Sequence, residues 1–261
     1  MVFTHGNTAV VLGPGGPVGT AWLLGLAAGL RRAGADLARA DLIVGTSAGA
    51  IAGAAIATGR DLDELAEVPP GERAGDPGVM PRVFEILNEP GADPRDALRR
   101  VGALALAAGA LPEERHLAAM EHLAGSRSWP DRPLLITAVD VAAGEPVVWS
   151  RDDGVPLHAA VAASSAAPGY AAPVTIGGRR YMDGAFGGGS NAHLAAGTVV
   201  LIEPLAFPGP PVEAAVRVGP DEAALEAFGP DVGDRTRWNE VYEAGLRQSA
   251  GAAALIAPVL P

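Results

Sequence analysis

Gly45-Thr46-Ser47-Ala48-Gly49 sets a serine between two glycines, directly after the apolar stretch 41–44 and directly before the alanine-rich stretch 47–58. A sharp turn between a strand and a helix holds such a serine in a strained backbone conformation, with Oγ projecting from the strand end. Small neighbours let strand and helix approach closely, and the N-terminus of the helix favours developing negative charge. The chemistry this suits is nucleophilic attack on a carbonyl. A carboxylate able to take the serine proton stands in Asp183-Gly184-Ala185, at the end of a short strand. By itself, Asp before Gly is ordinary turn chemistry.

The loop Gly13-Pro14-Gly15-Gly16-Pro17-Val18-Gly19 is the third candidate. A dinucleotide fingerprint wants glycines at positions one, three and six, and the sixth position here is Val18. An oxyanion hole fits better. Pro14 and Pro17 carry no N–H, so Gly15, Gly16 and Val18 supply the donors near the loop centre. Without Cβ atoms, Gly15 and Gly16 let an oxyanion approach within hydrogen-bond distance.

The elements that must position these residues follow from hydrophobic pattern and breakers. Residues 9–12 read as a buried strand, 13–19 as a loop, and 20–32 as a helix with Leu23, Leu26, Ala27 and Leu30 on one face. A second strand over 41–45 and a helix over 47–58 complete a strand–helix–strand–helix order, which implies a parallel sheet covered by helices. The stretch from 60 to about 132 is rich in Pro, Gly and charge, with a loop at Val68–Gly78 and helices near 94–111 and 112–123. It reads as a helical insertion or lid. Hairpins are expected for 133–141 with 146–150, and for 174–176 with 180–183 across Gly177-Gly178. A helix over 157–167, a strand over 198–203 and C-terminal helices within 221–257 follow. With no repeats and no flexible linker, one domain over 1–261 is expected.

Composition narrows the function further. The chain has 261 residues, 49% hydrophobic and 19% charged, which suits a folded core. A net charge of −11 argues against nucleic acid and against electrostatic docking on anionic lipid. Every basic residue is arginine, so a Schiff-base lysine and a P-loop lysine are both excluded. Zero cysteines exclude thiol catalysis and disulfides, and neither a metal nor a cofactor is expected. Residues 1–8 show no secretory signal, and no stretch reaches the roughly 18 apolar residues that span a bilayer. A cytoplasmic protein, capable of transient contact with a membrane surface, is the expectation.

Together the Gly-rich loop, the G-x-S-x-G turn and the D-G-A segment, in that order, resemble the patatin-like phospholipase family. The likeness extends to Val161–Tyr170, similar to that family's helix ending in Ser-x-Ala-x-Pro. It also covers Ile176–Gly184, like the hairpin bearing its Asp, and Ser190-Asn191-Ala192, like its Asn-containing segment. The resemblance implies an α/β fold, with a central, mostly parallel sheet covered by helices on both faces. It implies a Ser47–Asp183 dyad as nucleophile and base, Gly15 and Gly16 as oxyanion donors, and Gly45, Gly49 and Gly184 as motif glycines. Its substrates would be lipid acyl esters or phospholipids. The family loop commonly reads Gly-Gly-Gly-x-Arg/Lys-Gly. Pro14 stands here for its first glycine and Val18 for the basic residue, which favours neutral esters over phosphate-bearing ones.

Three other readings compete. An α/β-hydrolase triad would use His193, the one histidine after Asp183, but such folds usually place the elbow after several strands. Acyl transfer to an acceptor other than water uses the same acyl-enzyme. A non-catalytic lipid-binding protein on the same scaffold would explain Pro14 and Val18.

Overall fold

The computed structural model describes residues 8–67, 75, 76, 78–207 and 209–261. Residues 1–7, where a leader was sought, and most of the 68–78 loop lie outside these. Along the chain the strands are β1 (Thr8–Leu12), β2 (Leu42–Gly45), β3 (Leu134–Asp140), β4 (Glu145–Trp149), β5 (Val174–Ile176), β6 (Arg179–Asp183), β7 (Thr198–Ile202) and β8 (Val216–Val218). The helices are α1 (Gly16–Arg32), α2 (Ala48–Ala57), α3 (Val79–Leu87), α4 (Pro94–Ala107), α5 (Glu113–Ala124), α6 (Leu157–Ser164), α7 (Ala185–Gly188), α8 (Glu222–Phe228) and α9 (Trp238–Ile256).

The strands form one mixed sheet in the order β5-β6-β3-β2-β1-β7-β8, with β4 on β3. Pairings from β3 through β2, β1 and β7 to β8 are parallel, while β4, β5 and β6 join antiparallel. Alternation along each strand makes two cores. Val10, Leu12, Ile43, Ile136, Val200 and Ile202 face a large cluster built with α1, α2, α5, α6 and α9. On the opposite face, Ala9, Val11, Leu42, Val44, Val199 and Leu201 pack under Ala192 and Leu194. There α3 and α4 cover Val139 and Met182 through Val79, Val83, Leu98 and Val101. The fold is therefore the expected α/β one, with helices on both faces.

Three local expectations differ. Helix α1 begins at Gly16, not Thr20, because Pro17 sits in its first turn, where the missing N–H has no helical acceptor to lose. Helix α3 was not expected; its Pro81 occupies a first turn, where the missing N–H has no helical acceptor to lose. Strand β8 is three residues long, too short for a period to show.

The register around β3 positions the site. Strand β4 occupies one edge of β3 from Ile136 to Asp140. On the other edge β2 runs parallel and ends at Gly45 opposite Ile136, while β6 runs antiparallel and ends at Asp183 opposite Ala138. Two strands thus meet head to head along a single edge. Their C-terminal ends, carrying Ser47 and Asp183, are separated by only one β3 residue, Thr137.

Candidate functional site

The elbow is built by close packing that tolerates no side chain. Strand β2 is buried throughout, so the chain leaves it inside the protein and must turn at once into α2. A Cβ at Gly45 would come within 2.6 Å of the Gly49 carbonyl, and one at Gly49 would run into the Leu12 carbonyl. The N–H of Thr46 donates to Leu12 and that of Gly49 to Gly13, lashing the turn to the end of β1. Ser47 absorbs the bend. Its φ of 56° and ψ of −116° lie in a region L residues rarely adopt, so the backbone stores strain at the reactive position.

Opposite it, the β5–β6 hairpin delivers Asp183 through a turn whose two glycines both have positive φ, 58° at Gly177 and 78° at Gly178. Gly184 then passes so close to the Thr137 carbonyl that a Cβ has no room. The hydroxyl of Ser47 donates to Asp183 Oδ2 at 2.6 Å, across 136 residues of sequence. Asp183 Oδ1 accepts the Ala185 N–H at 2.9 Å. Both side chains are buried, Asp183 at 3% exposure. Burial pushes the Asp183 carboxyl up to about 7, against the opposing pull of its bonds from Ser47 and Ala185.

The Gly-rich loop can be accounted for donor by donor. Gly13 donates to Ile202, Val18 to Val232 and Gly19 to Gly15. Pro14 and Pro17 have no N–H. Gly15 and Gly16 remain, and neither donates to another group among the described residues. Val18, expected as a third donor, is instead committed to Val232, and its side chain is fully buried. Both free positions require glycine. A Cβ on Gly15 would meet Pro204 Cβ at 2.6 Å, and one on Gly16 would meet the Val232 oxygen at 2.7 Å. The N–H of Ala48, at the start of α2, likewise has no acceptor among the described residues.

Ser164 and Asn191 lie in two of the further family-like segments, whereas the role of Thr137 had no sequence signal. Ser164, the last residue of α6, accepts the Ser47 N–H on Oγ at 2.9 Å and the Gly184 N–H on its carbonyl at 3.2 Å. It therefore fixes both halves of the pair. The Thr46 and Thr137 hydroxyls lie 2.9 Å apart, and Asn191 Nδ2 donates to both, at 3.1 and 3.2 Å. This buried network pins the Asn191 segment under the elbow. Asn191 itself has a positive φ of 55°, held by these bonds.

The described histidines make no hydrogen bond to the pair. His193 is exposed, and no hydrogen bond joins it to Ser47 or Asp183 among the described residues. His116 is buried, and its Nε2 lies 2.9 Å from the Ala162 carbonyl and 3.2 Å from Ser165 Oγ. Burial, with a nearby positive charge, lowers it to about 4. A carbonyl only accepts, so Nε2 carries the proton and has no free lone pair to deprotonate a serine. No group of His, Asp and Glu suited to a metal occurs among the described residues.

The site thus holds a buried serine on a strained strand–helix turn, bonded to a buried carboxylate, with two unengaged glycine amides in the loop after β1. The family model described as patatin-like phospholipase matches residues 10–196. The chain belongs to the patatin-like phospholipase family. Proteins from Mycobacterium bovis and Mycobacterium tuberculosis, each described as an uncharacterized NTE family protein, are 34% identical over 180 residues. That alignment covers 68% of this chain and 42% of theirs, so the chain spans about two fifths of these relatives. Among solved structures, VipD from Legionella pneumophila aligns with a TM-score of 0.41 at 14% identity, covering 85% of this chain and 53% of that one. The type III effector ExoU aligns at 0.40 and 15%, covering 96% and 53%. No helix among the described residues is long and apolar enough to cross a membrane.

Proposed function

We propose that this chain is a serine hydrolase of lipid acyl esters, working through a Ser47–Asp183 dyad and an acyl-enzyme. The observation that carries the reading is the 2.6 Å bond from Ser47 Oγ to a carboxylate whose pKa burial raises to about 7. A free Asp, at about 3.9, is too weak a base for a hydroxyl. Buried, Asp183 is about a thousandfold more basic and titrates near neutrality, where a general base is most effective.

Ser47 Oγ attacks the ester carbonyl as its proton passes to Asp183 Oδ2. The carbonyl oxygen becomes an oxyanion, held by the Gly15 and Gly16 amides and by the N-terminus of α2. Collapse expels the alcohol, which takes the proton back from Asp183 and leaves an acyl-Ser47. Water then attacks the acyl carbon, Asp183 takes its proton, and collapse frees the fatty acid while the proton returns to Ser47. The exposed position of His193 favours this dyad over a triad. The decisive experiment is hydrolysis of short nitrophenyl esters by wild type and Ser47→Ala. Loss of turnover in the variant is expected, and intact turnover refutes the reading.

A further inference from the structure

Arg235 is a half-buried cation three residues after Val232, which abuts the Gly-rich loop. Its Nε is buried without a hydrogen-bond partner, and no ion pair or hydrogen bond engages the rest of its guanidinium among the described residues. Most of the other arginines described here meet a carboxylate or a carbonyl. Arg237, two residues on, faces Asp234 and Glu240 and donates to the Ala227 carbonyl at 3.0 Å. The Asp234 carboxylate beside Arg235 is instead occupied by the Thr236 N–H and hydroxyl, at 2.9 and 2.6 Å. The residue is half-buried, and leaving a buried guanidinium N–H without an acceptor is unfavourable, so an anion reaching this group from outside would be stabilising.

Its position is fixed from two directions. Three residues earlier, the Val232 carbonyl accepts the Val18 N–H at 3.4 Å and lies against Gly16, so the 232–235 segment abuts the loop with the two free amides. Gly233 packs on the ring of Tyr170, in the turn that follows α6. From the other side, Arg235 is near enough to His116 for its charge to oppose protonation of that ring. His116 is bonded to Ala162 and Ser165 of the α6 C-terminus, and the intervening Ser164 holds the Ser47 N–H. Arg235 therefore lies between the Gly-rich loop and the end of α6, the two elements that flank Ser47. Val18 offers the loop no charge of its own, whereas Arg235 places one on the neighbouring segment.

We propose that Arg235 is the anion subsite of the Ser47 site, binding the phosphate group of an ester substrate whose carbonyl rests on Gly15 and Gly16. This rests on the hydrolase reading above and deepens it. The planar fork suits two oxygens of a phosphate, as a compact ammonium does not. Specificity then shifts from neutral esters, the expectation drawn from Val18, to phosphate-bearing ones.

Two measurements test it. In the first, kcat/KM is determined for dihexanoyl phosphatidylglycerol and for dihexanoylglycerol, with wild type, Arg235→Lys and Arg235→Met. The ratio of phosphate-bearing to neutral ester is expected to fall about 10- to 100-fold in Arg235→Met, and less in Arg235→Lys. An unchanged ratio overturns the proposal. In the second, inorganic phosphate and glycerol 3-phosphate are titrated calorimetrically into Ser47→Ala, with and without Arg235→Met. Loss of glycerol 3-phosphate binding on removing Arg235 supports the subsite, and equal affinity overturns it. Phosphate bound as tightly as its glycerol ester assigns the site to the free ion and overturns the substrate role. If neither ester is hydrolysed yet binding depends on Arg235, the hydrolase reading falls and the anion site stands.

Discussion

Replacing Asp183 with Asn should remove activity and yet stabilise the protein above neutral pH. Asn keeps the shape. Its Oδ1 can accept the Ala185 N–H as Asp183 Oδ1 does at 2.9 Å, while its amide donates to Ser47 Oγ. What it lacks is the ionisation. The Asp183 carboxyl titrates at about 7 in the folded chain and at about 3.9 when unfolded. Between these values the folded state holds the extra proton, so stability falls as pH rises through the window. The group's contribution is fully present below pH about 4 and is lost above about 7, a swing of about 4 kcal/mol at most. All other titrating groups are shared by the two proteins and cancel in the difference. Urea unfolding of wild type and Asp183→Asn at intervals from pH 4 to pH 9 reads that difference directly. It should move in favour of the variant by about 2–4 kcal/mol across the window. A difference that stays flat with pH would mean that Asp183 titrates normally, and the argument for its basicity would collapse.

Three further outcomes follow from the same geometry. The acylation rate, read as kcat/KM on a nitrophenyl ester, should rise with pH through about 7 and then level, following deprotonation of Asp183; a rate already level from pH 5 contradicts this. Ser164→Ala leaves the Ser47 N–H buried without its 2.9 Å acceptor, so urea unfolding should show a loss of about 1–3 kcal/mol. Its kcat should fall about tenfold as the elbow loosens, at a KM changed far less. His193→Gln should retain nearly all esterase activity, because that ring is exposed and unbonded to the pair; a collapse of activity would restore the triad.

How much of this was legible in the sequence depends on the range of each interaction. The elbow, the Gly-rich loop and the hairpin turn are local, and their glycines mark places where a Cβ has no room or φ is positive. The meeting of Ser47 with Asp183 was implied by family likeness, while its physical cause, two strands sharing one edge of β3, appears only in the register. Ser164 stands in the family-like Ser-x-Ala-x-Pro segment, but its task, accepting the Ser47 N–H across 117 residues, appears only in the structure. Thr137 reads as an ordinary strand residue until Asn191 reaches it across 54 residues. Pro17 misled because a loop proline and a helix-starting proline are the same residue, distinguished only by what surrounds them. Arg235 carried no signal at all. Its interest lies in an Nε that has no partner among the described residues, and a sequence does not show who is paired.

The central claim is that Ser47 is a nucleophile activated by Asp183, and covalent trapping tests it most directly. Wild type, Ser47→Ala and Asp183→Asn should each be treated with a fluorophosphonate and followed by intact mass and peptide mapping. The account predicts a single adduct on Ser47 in wild type, none in Ser47→Ala, and labelling slowed by at least about a hundredfold in Asp183→Asn. An adduct on another residue, or equal labelling rates with and without the Asp183 carboxylate, would contradict it.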